Sequence, residues 1–223
     1  MREHMHRAAL TAALLWPALV WGAPADPQAI VERLARSGPA NIAFTEVRFS
    51  PLLAQPLIVS GELGYNGPND LERRVRSPYR EDTYIRGESV RVQREGEPAR
   101  SFALKRAPEL RGLVMSLAAL LGGDAPMIGR DFRMSAQGSD EIWTLELVPI
   151  DARVRQRLEQ IRVSGRQDSV RCFAMINPGG GASIILLGDL AAKPLPSEVT
   201  RESLARDCGD GGTQKSAPQS SGT

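Results

Sequence analysis

Apolar and polar side chains alternate one by one through much of the chain, as they do in a strand with one buried face, and helical spacing interrupts this pattern in two places. Asp26 and Pro27 suit an N-cap and a first helical position, and residues 28–37 then place Ile30, Val31 and Leu34 on one face before Gly38-Pro39. From Asn41 onward the alternation predicts strands over 42–49, 57–65, 71–77, 82–86, 89–94 and 101–105. Asn66 to Asp70, Arg86-Gly87-Glu88 and Glu95 to Pro98 supply the turns of a meander.

The second helical stretch covers 109–121, where Leu110, Leu113, Val114, Leu117, Leu120 and Leu121 share one face, with Pro108 in its first turn and Gly122-Gly123 at its end. Strands resume over 131–136, 142–148, 160–164, 170–176 and 182–187, and Trp143, Leu145 and Leu147 mark one side of the second of these. The expected fold class is therefore α+β and mainly β. About 10–11 short antiparallel strands must close into a barrel or curl under a helical cover, and either solution makes an apolar concavity. Residues 209–223, rich in Gly, Ser, Thr, Gln and Pro, read as a disordered tail.

Charge changes the picture by exclusion. Lys and Arg number 28 against 26 Asp and Glu, and this near balance lacks the cationic excess that displaces counterions from nucleic acid. Arg2 and Arg7 precede an apolar run from Ala8 to Trp21, and Ala23-Pro24-Ala25 has the small-x-small form of a signal-peptide cleavage site. Residues 1–25 are expected to direct export and then be removed, leaving a domain over 26–208. The run is too short, and too broken by Pro17, to suit a membrane span.

Both histidines, His4 and His6, would leave with that peptide. Without imidazole the mature chain cannot assemble a Ser-His-Asp triad or a His-ligated zinc site, and no cofactor or metal is expected. Asp124, Asp131, Asp140 and Glu141 are acid or base candidates that nothing in the sequence brings together, so an enzyme is not expected. Asn177 to Gly181 reads as a hairpin turn rather than an anion cradle, and Arg153, Arg155 and Arg157 as a solvated loop. Cys172 and Cys208 are too far apart for a redox pair; in an oxidising compartment they either join, pinning the C-terminal segment, or remain two thiols.

The order of these segments resembles the LolA-like family of periplasmic lipoprotein carriers from Pro27 to about Leu190. FTEV (44–47) is similar to the family's Phe-x-Gln segment, and SGELGYNGPNDL (60–71) to its Gly-x-Leu-x-aromatic-x-x-Pro-x-x-Leu pattern. IRGESV (85–90) looks like its Asp-Gly-Lys hairpin, WTLELVP (143–149) like its Leu-x-Pro strand end, and IRVSGR (161–166) falls where a further strand and turn belong. The resemblance implies an unclosed antiparallel β-barrel with a helical lid over a hydrophobic cavity for acyl chains. It also implies a periplasmic monomer that takes lipoprotein or other amphiphilic cargo from an inner-membrane transporter to an outer-membrane acceptor. Related members sense envelope stress, so a lipid-sensing module bound to a membrane signalling partner is the alternative. One residue departs from the pattern: the Arg that helps latch the family's lid, just before the turn proline, is Gly67 here. Arg73 and Arg74 are the nearby substitutes, against the plainer reading of a solvated strand face.

On this reading cargo competes with the lid residues Leu113, Val114, Leu117, Leu120 and Leu121 for a concave wall formed by Leu34, Val59, Leu63, Leu71, Trp143, Leu145 and Leu147. The same apolar stripes would equally serve as ordinary core.

Overall fold

A computed structural model describes residues 25–35, 39–67, 70–106 and 108–209. The expected signal peptide, apart from Ala25, and the expected tail, apart from Gly209, lie outside the described residues.

Two antiparallel meanders build one sheet. The first runs β1 (Ala40–Phe49), β2 (Leu57–Gly67), β3 (Asp70–Ser77), β4 (Glu81–Arg86), β5 (Ser89–Arg94) and β6 (Arg100–Ala103). The second runs β7 (Phe132–Gly138), β8 (Ile142–Pro149), β9 (Gln160–Arg166), β10 (Ser169–Ile176) and β11 (Ala182–Leu187). The last strand returns to the first, pairing Phe44 with Leu187 and Phe49 with Ala182, which gives an 11-stranded order of β6-β5-β4-β3-β2-β1-β11-β10-β9-β8-β7. Strands β6 and β7 therefore stand at opposite ends, and the barrel is not closed. Between them the chain spends its length on helices α2 (Pro108–Gly122) and α3 (Ala125–Asp131), and α1 (Pro27–Arg33) precedes the sheet.

Bulges, which bend a strand locally, interrupt the sheet. Strand β2 slips register against β3 at Ser60/Gly61 and again at Tyr65/Gly67. At the first of these a Cβ on Gly61 would fall 1.8 Å from the Arg74 carbonyl oxygen, so no larger residue fits without moving the strand.

The concave face is filled unevenly. Under β8 and β9 it is solid: Trp143, Leu145, Leu147, Ile161 and Val163 pack with Ile30, Val31 and Leu34 from the α1 region and Ile128 of α3. Under β2–β5 a second cluster joins Tyr65, Leu71, Ile85 and Val90 to Val114 and Ala118 of α2. Ala119 and Leu120 turn from the same helix into the first cluster, so α2 bridges both halves.

The convex face is covered as well. Helix α5 (Arg201–Cys208) lays Leu204 and Cys208 over Val47, Cys172, Ile184 and Leu186, and a disulfide joins Cys172 to Cys208. With both faces covered, every residue of β11 is buried, which accounts for its unbroken apolar run Ile184 to Leu187.

Several boundaries differ from the sequence reading. Helix α1 ends at Arg33, four residues early, as Leu34 turns its side chain into the core. Residues 104–106 form a 3-10 turn that buries Leu104, so β6 is shorter than expected. Asp131 belongs to α3 and not to the following strand. Helix α3 begins where Asp124 accepts a hydrogen bond from the Met127 amide at 2.8 Å, a cap with Pro126 behind it that the strand-dominated reading passed over. Helix α4 (Ala152–Arg155), capped by Asp151, stands where the sequence predicts a solvated loop, and α5, capped by Thr200 and Ser203, lies in a stretch for which the sequence predicts no element.

Candidate functional site

Between the solid half of the hollow and the α2-covered half lies a cavity of about 1080 Å³. Its inner wall is hydrocarbon: Leu34, Ile42, Leu63, Leu71 and Ile85 meet Val114 and Leu121 from α2, with Phe173, Ile185 and Leu187 across the floor. It reaches solvent beside the β1–β2 connection, where Leu52 and Leu53 line it while 93% and 46% exposed.

Strand β1 carries the transition from greasy to charged. Its concave positions in order are Ile42, Phe44, Glu46 and Arg48, so successive side chains on that face change from apolar to ionic over roughly 7 Å per step. The Glu46 side chain is only 4% exposed. Arg48 grips it with Nε at 2.6 Å and Nη2 at 3.0 Å, Arg73 from β3 donates Nη2 at 2.6 Å, and the Ser183 hydroxyl donates at 2.6 Å. Burial alone would push the Glu46 carboxyl up; the hydrogen bond and charge of Arg48, the charge of Arg73 and the Ser183 hydroxyl outweigh it and hold the group below the ordinary carboxylate value. Arg73 also lies over the Phe44 ring, 5.0 Å from its centroid.

Of the expected wall and lid residues, Leu34, Leu63, Leu71, Val114 and Leu121 line this cavity. Val59, Leu120, Trp143, Leu145 and Leu147 do not line it; they are at most 1% exposed and sit in the main core. The Trp143 ring fills the space above Gly165, where a Cβ would lie 2.2 Å from it, and its indole N–H donates to the Gln167 carbonyl at 2.9 Å. Leu113 and Leu117 belong to α2, and their side chains lie outside those described. Arg73 faces the cavity with Glu46 and Glu81 as partners, whereas Arg74 pairs with Glu72 and Glu62.

The scattered carboxylates have structural places away from the cavity: Asp124 caps α3 and Asp140 pairs with Arg33 at 2.8 Å. Arg155 donates to the carbonyls of Pro149 and Ile150, tying down α4. Asn177 to Gly181 is the β10–β11 turn, closed by the Asn177 amide on the Gly181 carbonyl at 2.9 Å. Among the described residues no group of His, Cys, Asp and Glu could hold a metal ion, and no helix is long and apolar enough to cross a membrane.

The Glu46–Arg48–Arg73 cluster escaped the sequence reading. Its signal was present as ionic residues at alternate positions that continue an apolar strand face, Ile42-x-Phe44-x-Glu46-x-Arg48.

A family model described as outer membrane lipoprotein carrier protein LolA-like matches residues 22–211. Among solved structures the chain is similar to a LolA superfamily protein from Nitrosomonas europaea, at 12% identity, covering 76% of this chain and 94% of that one, with a TM-score of 0.41. It is also similar to a domain from Vibrio parahaemolyticus described as an outer membrane lipoprotein-sorting protein, at 9% identity, covering 81% of this chain and 96% of that one, with a TM-score of 0.41. No curated protein matches the chain.

Proposed function

Because the chain belongs to the outer membrane lipoprotein carrier protein LolA-like family, we propose that it is a periplasmic carrier. In this proposal it shelters the acyl chains of a lipoprotein or another amphiphile and ferries them, as a monomer, from an inner-membrane donor to an outer-membrane acceptor. The observation that carries the reading is the apolar cavity of about 1080 Å³ under α2. It stands at the upper end of the roughly 300–1,000 Å³ range of small-molecule sites, and each methylene moved into it from water is worth about 0.8 kcal/mol.

Uptake and release then follow from competition. Val114 is buried against the sheet, so admitting a chain exchanges one apolar partner of the wall for another. The net affinity is a difference between two burials, small enough for cargo to be handed on without a chemical energy source. Leu113 and Leu117 are assigned to the same competition.

Native mass spectrometry of the protein loaded with a diacyl lipid tests this. Val114→Asp should lower lipid occupancy at least about tenfold while circular dichroism stays native, since an ionised carboxylate in hydrocarbon costs several kcal/mol. A folded variant that loads lipid as well as the parent protein rules the reading out.

A further inference from the structure

Nothing in a purely hydrocarbon cargo calls for the ions on the cavity wall. A buried ion pair is seldom needed for folding, since apolar residues of similar volume serve as well or better. Yet Glu46, Arg48 and Arg73 occupy the same concave face as Ile42 and Leu63, at the end of the cavity nearest the exposed Leu52 and Leu53.

The guanidinium donors of this wall are not all spent. Glu81 has Arg94 at 2.8 Å and Arg73 at 3.7 Å, Glu72 has Arg74, and Glu46 faces two guanidiniums, Arg48 and Arg73. Arg48 commits Nε and Nη2 to Glu46, while its Nη1 has no partner among the described residues and its side chain remains 41% exposed. An uncommitted cationic donor beside low-dielectric hydrocarbon attracts an anion more strongly than it would in water.

We propose that the Glu46–Arg48–Arg73 cluster is the headgroup seat for a long-chain amphiphile whose head is anionic, a carboxylate or a phosphate monoester, with its chain directed toward α2 and its head against Arg48. This rests on the lipid-carrier reading and narrows it, because it names the chemistry of the head and the direction in which the cargo lies. Glu46 acts as a positioning residue: held by Arg73 and Ser183, it fixes the Arg48 guanidinium through Nε and Nη2 and leaves Nη1 uncommitted.

The experiment uses the full chain above neutral pH and compares palmitate with hexadecanol, equal in length and different in charge, as displacers of the neutral fluorophore N-phenyl-1-naphthylamine. Palmitate should displace at a concentration about tenfold or more below that of hexadecanol, the range expected for a hydrogen bond to a charged group. Arg48→Gln should bring palmitate down to the level of hexadecanol, and Glu81→Gln, which removes a negative charge from the same wall, should widen the preference. Inorganic phosphate without a chain should displace nothing.

Equal displacement by the two ligands, or a preference that survives Arg48→Gln, overturns the headgroup seat and leaves the carrier standing. Failure of both ligands to displace the probe overturns the carrier reading itself. Should Arg48→Gln not fold, Glu81→Gln decides alone: a preference that does not widen sinks the assignment. Displacement by phosphate alone would show an anion site indifferent to lipid, contrary to the proposal.

Discussion

Glu46 shows how a single side chain is held ionised inside a mostly apolar wall. Because its folded value is depressed, the stability it contributes is fully present above the ordinary carboxylate value of 4.5 and is lost as the pH falls through the lowered folded one. Urea unfolding at a series of pH values should therefore show a decline below that point in the parent protein, and Glu46→Gln should remove this part of it. If the two acid profiles are superimposable, the carboxylate is not held as described. Trp143 illustrates the opposite outcome for a residue on an alternating face. Its periodicity resembles that of a cavity-lining residue, but Gly165 opens a slot on β9 that takes the ring, and the Gln167 carbonyl satisfies its N–H.

Among the elements, α5 depends most on a covalent tie. It is eight residues long, too short to be stable alone, and contributes Leu204 and Cys208 to the convex cluster. The Cys172–Cys208 bridge spans a sequence separation of 36 and limits the freedom of the unfolded chain accordingly. Replacing both cysteines by serine should cost about 3–4 kcal/mol in equilibrium denaturation, by the loop-entropy relation. Limited proteolysis should then cut first between β11 and α5. An unchanged denaturation midpoint would mean that packing alone holds the segment.

The helical cover follows another logic. Helix α2 spans about 22 Å at the usual rise per residue. It is fastened by Ala119 and Leu120 in the main core, while Val114 and Ala118 meet the β2–β5 wall, so its two parts contact two different clusters. The strand-forming periodicity on either side of it was plain in the sequence. Helices α3 and α5 were less so, because their caps, Asp124 and Thr200, are short polar signals within segments whose apolar spacing is too brief to show a period.

For the molecule as a whole, an open sheet keeps accessible a hollow that a closed small barrel would fill with its own side chains. Since cargo binds only the folded form, saturating ligand must stabilise it: at a hundredfold excess over Kd the gain is about 2.7 kcal/mol, raising Tm by several degrees for a chain of this size. Differential scanning calorimetry with and without palmitate checks this, and a Tm indifferent to ligand would count against occupancy of the cavity.

The alternation of side chains was enough to determine eleven strands, an apolar concavity and a helix rich in leucine, because side-chain alternation and amphipathic burial are local consequences of residue order. Which apolar residues became core and which became cavity wall was decided only in three dimensions. Trp143, Leu145 and Leu147 read no differently from Leu63 and Leu71 along the chain, yet α1 and α3 pack down on the first set and leave the second beside open space. The Cys172–Cys208 pairing and the meeting of Glu46 with Arg73, 27 positions away, depend likewise on which strands become neighbours. Long-range register sets such contacts, and no short window of sequence contains it.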